Sequence, residues 1–242
     1  MKERFETRVN YFKTHPAALL LSVQVIMLAI LPQLHGMLLS RLAVACFSTV
    51  SMLLAVVVVI RSQSMNTIAI LLGVISIACT LGSMVEGQGG LLFYGMVLEG
   101  LLYLYTAVAL IYYMLSDHDV TIDEMFAAGA TFTLLGWAFT YFYLALQMVS
   151  PNAFTGLRDP EGPRTWVELV FVSFTNLSAT GSGDIMPITP YARMLVLLEQ
   201  ALGVGYIGVI VSRFIGLTLT AHDHHKPDRT RGPDESKPGD SQ

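Results

Sequence analysis

A chain of 242 residues with 53% hydrophobic and only 13% charged side chains is too apolar for an ordinary soluble domain. Its formal charge of −4 leaves no basic excess to hold nucleic acid, so no nucleic-acid partner is expected. The two cysteines, Cys46 and Cys79, both fall inside apolar runs, where a thiol acts as a small hydrophobe and says nothing about redox compartment.

Six apolar runs are long enough to cross a hydrocarbon core of about 30 Å at roughly 1.5 Å per residue: residues 16–34, 42–60, 67–85, 91–115, 125–149 and 192–219. The expected fold is therefore an all-α, six-span protein embedded in the lipid bilayer. Ahead of the first run, Phe5, Val9 and Phe12 recur at helical spacing among Lys2, Arg4, Arg8 and Lys13. That pattern predicts an amphipathic helix over residues 1–15 on the inner leaflet, with a solvated basic end as the alternative. The first run is too long for a signal-peptide core and no small-residue cleavage site follows it, so it is expected to stay in the mature protein.

Residues 16–116 form a four-helix membrane domain. Four spans ahead of a fifth and sixth invite comparison with a voltage sensor, but the fourth run, 91–115, contains no Arg or Lys. Without charge to move through the field, no steep voltage dependence is expected. Glu99 sits inside this run, where an acid costs on the order of 3 kcal/mol, and a structural hydrogen bond is its expected role.

After the fifth span, Ser150-Pro151-Asn152 and Asp159-Pro160-Glu161-Gly162-Pro163 are loop signals, and residues 165–177 then resume an apolar helical pattern. That helix is too short to cross. A short helix with an extended return segment makes a re-entrant loop, tolerated at membrane depth only where protein encloses it. Its C-terminal end would favour a cation through the helix dipole. The next residues, Ala179-Thr180-Gly181-Ser182-Gly183-Asp184, have the glycine-permitted composition of a filter whose backbone carbonyls replace a cation's water. Asp184 is placed at the outer mouth, where several copies would concentrate cations.

The last span carries Gly203, Gly205 and Gly208 within two turns. Glycine is roughly 1 kcal/mol worse than alanine inside a helix, so the cluster marks either close packing or a hinge that opens a gate. Glu199 lies about two turns into the same span, near filter depth, as a support behind the filter or a source of negative potential. Residues 221–242 have no apolar period and are expected to be disordered. Within them His222-Asp223-His224-His225 is read as solvated tail, with proton or metal sensing as the sharper alternative.

Both termini are expected in the cytoplasm. That orientation puts ten basic residues inside (Lys2, Arg4, Arg8, Lys13, Arg61, Arg213, Lys226, Arg229, Arg231, Lys237) and four outside (Arg41, Arg158, Arg164, Arg193), in keeping with the positive-inside tendency. It also makes the filter segment dip in from the outer face of a cell inner membrane.

From about residue 120 to 216 the chain resembles the pore module of the two-helix-type bacterial potassium channels. The residues that carry the resemblance are the helix 165–177, the frame Gly181-x-Gly183-Asp184, Ile185-Met186-Pro187 and the glycine-bearing inner helix. The resemblance implies a pore domain over 120–219, with outer helix 125–149, pore helix 165–177, filter 179–184 and inner helix 192–219. Thr175, Ser178 and Glu199 would support the filter. It further implies passive conduction of potassium, no cofactor, and a gating ligand left unidentified. The family's filter reads Thr-Val-Gly-Tyr-Gly-Asp. Here Ala179 has no hydroxyl to offer the innermost ion site, and Ser182 is too short to brace the filter as the family's tyrosine does. Thr180 in place of valine adds a hydroxyl that can bond backbone locally. A weakly selective pore that also passes sodium, and a non-conducting modulatory subunit, are the alternatives.

Two other classes fit less well. Gly181-Ser182-Gly183 superficially resembles the serine motif of rhomboid proteases, but none of the six histidines lies in a span where it could activate Ser182, so no enzyme is expected. A pore-loop transporter would carry four such loops in one chain. One loop per chain implies a C4 homotetramer.

Overall fold

The computed structural model of the chain describes residues 16–30, 33, 50, 54, 66–86, 89–116, 122–157, 159–181 and 184–223. The elements in order are α1 (Pro16–Ile30), α2 (Asn66–Glu86), α3 (Gly89–Ser116), α4 (Ile122–Val149), β1 (Phe154–Gly156), α5 (Trp166–Leu177), β2 (Ile185–Pro187) and α6 (Pro190–Asp223). Among the described residues three segments are long and apolar enough to cross a membrane: Gly90–Ser116, Ile122–Val149 and Pro190–Ile215. Pro16–Ile30 and Thr67–Thr80 are shorter apolar helices. The amphipathic helix expected over 1–15 lies outside the described residues, as does the expected span 42–60 apart from Val50 and Leu54.

Helix boundaries differ from the sequence expectation where local chemistry favours extension. α4 begins at Ile122, and its first turn holds Asp123 and Glu124, acids that suit the positive end of a helix dipole. α6 begins at Pro190, whose fixed φ fits a first turn. It continues to Asp223, so the segment expected to be disordered from 221 is helical for its first residues.

The core is built around α4. Along it Ala127, Ala130, Leu134, Trp137, Ala138 and Tyr141 are buried in one cluster. Leu20 and Met27 of α1, Tyr103, Leu110 and Met114 of α3, Val170 and Leu177 of α5, and Tyr206 and Ile210 of α6 belong to the same cluster. One hydrogen bond and two close packing contacts fix α1 and α3 against α4. Thr133 of α4 donates to Gln24 of α1, which is wholly buried. Gly100 of α3 lies where a Cβ would meet the ring of Phe142 2.6 Å away, and Tyr103 lies against Tyr141 with ring centroids 5.7 Å apart. α1 and α3 therefore wrap α4. α2 packs outside them on α3, with Ala69, Leu102 and Ala109 buried together.

A second cluster, including Phe139, Tyr143, Phe154, Leu169, Val172, Ile185 and Val196, lies under the loop between α4 and α6. β1 and β2 pair antiparallel there, Thr155 opposite Met186. The amide of Leu157 donates to the carbonyl of Asp184 at 3.0 Å, and that of Ile188 to Ala153 at 2.8 Å. Because β1 precedes α5 and β2 follows it, this pairing closes the intervening chain into a loop that leaves and returns at one end of the α4–α6 pair.

Candidate functional site

The loop begins at Arg164, only 4% exposed, whose guanidinium donates to the carbonyls of Asp159 and of Gly162 and pairs with Glu168 at 3.6 Å. Gln147, in the last turn of α4, exchanges two bonds with the Arg164 backbone, at 2.8 and 2.9 Å. Thr165 then caps α5. Its hydroxyl accepts from the Glu168 amide at 3.3 Å, while the Glu168 carboxylate accepts from the Thr165 amide at 2.7 Å. This reciprocal box satisfies two of the helix's orphan donors.

Twelve residues of α5 span about 18 Å at 1.5 Å per residue, short of a bilayer core. Its flank is fixed against α4 by a close approach at Gly136, where a Cβ would meet the Phe174 ring at 2.7 Å. Trp166 stacks on Trp137 with centroids 5.1 Å apart. The Ser173 hydroxyl donates to the Gly136 carbonyl at 2.7 Å and also bonds Glu199. Glu199, 0% exposed, accepts from Tyr143 of α4 as well. One carboxylate thus joins α4, α5 and α6. Of the filter supports expected from sequence, Glu199 contacts the flank of α5; the partners seen for it are not filter residues.

α6 meets the rest of the chain along a single seam, with Ala192, Val196, Glu199, Gly203, Tyr206 and Ile210 buried at alternating spacings of four and three. A Cβ on Gly203 would overlap the Leu177 carbonyl, whereas Gly205 and Gly208 have nothing within 4 Å. The three glycines therefore separate: Gly203 is a contact with the end of α5, and the other two face open space. Leu177 is 13 residues past the α6 start in register, at Gly203, about 20 Å along that helix. The C-terminus of α5 so lies deep between α4 and α6.

There the chain turns. Ala179 has φ 58 and Gly181 φ 72, both left-handed. The Ala179 amide donates to Asn176 at 2.9 Å and the Thr180 amide to Thr175 at 3.0 Å, the two bonds of a Schellman cap. The Thr175 carbonyl also accepts from the Gly181 amide at 3.0 Å, from the Thr180 hydroxyl at 3.1 Å and from the Ser178 hydroxyl at 3.2 Å. The extended backbone expected from residue 179 is not what residues 179–181 adopt, because the last carbonyls of α5 need donors and Thr180 supplies two. Thr175 acts through its carbonyl, since its hydroxyl bonds Phe171 and Val172 within the helix. The hydroxyl of Thr180 does bond backbone locally, as its place in the sequence predicts. Ser182 and Gly183 lie outside the described residues. Asp184 follows them, exposed, with its carbonyl accepting from the amide of Leu157, the residue after β1.

Two contributors escaped sequence reasoning. Gln200 of α6 donates to the Asn176 side chain at 2.9 Å, and Asn176 in turn donates to Val172 at 2.8 Å. The Thr165-x-x-Glu168 spacing was a legible capping signal; the amide pair had none. Glu99 has the hydrogen bond its position calls for, accepting from Tyr103 at 3.4 Å. Of the histidine cluster, His222 is on the α6 backbone and His224 and His225 lie outside the described residues.

Two apolar membrane-length helices flank a short helix whose following segment returns to the same edge, the arrangement of a re-entrant membrane loop. Residues 100–219, just under half of the chain, match the family model described as ion channel. The match supports an ion-channel pore-loop family and ion-channel activity for this segment. It starts within α3, ahead of the pore-domain boundary expected at 120. No curated protein and no solved structure matches the chain.

Proposed function

We propose that the chain is one subunit of a C4 homotetrameric channel that conducts potassium passively across the cell inner membrane, both termini in the cytoplasm. The observation that carries this is the deep, capped C-terminus of α5 aimed at the segment 179–184 between two spanning helices. Carbonyls at such an end favour a cation. A single loop cannot enclose a pore, and α6 supports assembly from several copies: outside its seam Leu198, Leu202, Val204, Ile207 and Val211 are exposed, each near half of its surface. In this reading Ala179, Thr180, Gly181, Ser182 and Gly183 line the ion path and Asp184 forms an acidic ring at its mouth. No cofactor or enzymatic step takes part, and the gating ligand, if one acts, is unassigned.

A weakly selective cation pore is the second reading. Ala179 favours it, because it has no hydroxyl for an inner ion site and its backbone is turned rather than extended.

The test is the reversal potential of purified protein in a planar bilayer with potassium on one side and sodium on the other. A value near the potassium equilibrium potential supports the first reading and a value near zero the second. No current from well-assembled protein would overturn both and leave a modulatory subunit.

A further inference from the structure

α6 grips the last turn of α5 at successive levels. Glu199 holds Ser173, Gln200 holds Asn176, and Gly203 touches the Leu177 carbonyl. The middle contact differs in kind from its neighbours. An amide pair adds little to apolar packing, and an amide in a membrane span is unfavourable unless partnered. Asn176 is buried, at 6% exposure, and its backbone carbonyl is one of the two that close the cap, accepting from Ala179. Its side chain therefore connects α6 to the residue whose left-handed backbone turns the chain out of α5. Thr175, the neighbouring residue, supplies the other cap carbonyl, to Thr180 and Gly181.

We propose that Gln200 and Asn176 are a positioning pair: the Gln200 amide holds the Asn176 side chain so that the cap at Ala179–Gly181 keeps one orientation as α6 moves. Their role in permeation rests on the pore reading above. The pair touches no ion itself and acts through the cap.

The experiment uses the full chain in lipid nanodiscs and planar bilayers, with near-isosteric variants Gln200→Met and Asn176→Leu, their double, and the exchange Asn176→Gln with Gln200→Asn, which keeps both amides and their summed length. One readout is the potassium-to-sodium permeability ratio. The other is hydrogen exchange in a peptide covering residues 175–184. Each single variant is expected to speed exchange there about fivefold, the equivalent of one net hydrogen bond, and to move the permeability ratio. The double should do no more than either single, and the exchanged pair should recover both values. Additive effects, or exchange unchanged in the single variants, would overturn the proposal. Absence of current from the unaltered protein would sink the channel reading alone, because the exchange measurement still decides whether the pair holds the cap.

Discussion

Arg213 of α6 and Glu124 of α4 meet at 3.3 Å, with side chains 11% and 2% exposed. Two turns earlier on the same face of α6, the Tyr206 hydroxyl donates to the Ala128 carbonyl at 2.6 Å, one turn beyond Glu124. These two rungs tie the far end of α6, away from the filter segment, to the start of α4. α4 itself is fixed by α1 and α3. α1 and α3 thus form a jacket around α4, and α6 is latched to α4 itself at its far end.

Breaking the latch removes one member of a buried ion pair, which typically destabilises by about 3–5 kcal/mol. Glu124→Gln and Arg213→Gln are each expected to lower the melting temperature of the purified protein and to raise open probability in single-channel records. Exchanging the charges, Glu124→Arg with Arg213→Glu, should recover part of both. Singles that leave open probability unchanged would make the pair a packing feature only.

Glu199 predicts a graded response. Glu199→Gln keeps an oxygen acceptor, so Tyr143 and Ser173 can retain partners by rotating their hydroxyls. Glu199→Ala takes the acceptor from the buried Tyr143 hydroxyl, at about 1–3 kcal/mol for a group left unsatisfied, while the Ser173 hydroxyl keeps the Gly136 carbonyl. Thermal unfolding in detergent should rank the native chain first, then Gln, then Ala. Equal losses for the two variants would mean that an amide cannot replace the Glu199 carboxyl in joining α4, α5 and α6.

The three helices α3, α4 and α6 were readable because long apolar runs have a single structural meaning at membrane length. α5 was readable from its resumed helical pattern after the Pro163 loop signal, and its depth from its shortness. What sequence could not supply was pairing across the chain. Gln200 finds Asn176 and Arg213 finds Glu124 over long separations, and uncharged amides such as Gln24 and Gln200 raise no alarm inside a span as Glu99 and Glu199 do. The cap at residue 179 was hidden for a different reason. Helix ends of this type are signalled by glycine, and here the left-handed position is held by Ala179 while Gly181 comes two residues later.

Gly203 and Gly205 separate packing from bending. At Gly203 an added methyl overlaps the Leu177 carbonyl, so Gly203→Ala must displace α5 or α6, a strain of about 1–3 kcal/mol, and is expected to lower assembly yield and thermal stability. At Gly205 the methyl enters open space and only improves helix propensity, by roughly 1 kcal/mol. Gly205→Ala should therefore leave folding intact and shift gating alone. Gating identical to the native chain would show that α6 does not bend at this position.

Substitution at Ala179 tests whether the turn seen here is the conformation that works. A left-handed backbone costs a non-glycine residue roughly 1–2 kcal/mol, so Ala179→Gly should stabilise the cap and slow hydrogen exchange at Thr180 and Gly181. A β-branched residue tolerates that backbone worst, so Ala179→Thr should loosen the cap while adding the hydroxyl that position lacks. If ions pass with residue 179 turned, the threonine variant loses current and the glycine variant keeps it. If conduction instead requires the segment to extend, threonine, which favours extended backbone, should sharpen discrimination against sodium and glycine should blur it. The two variants move in opposite directions under the two alternatives, so a single pair of reversal-potential and current measurements distinguishes a filter that works as a helix cap from one that must unfold that cap to conduct.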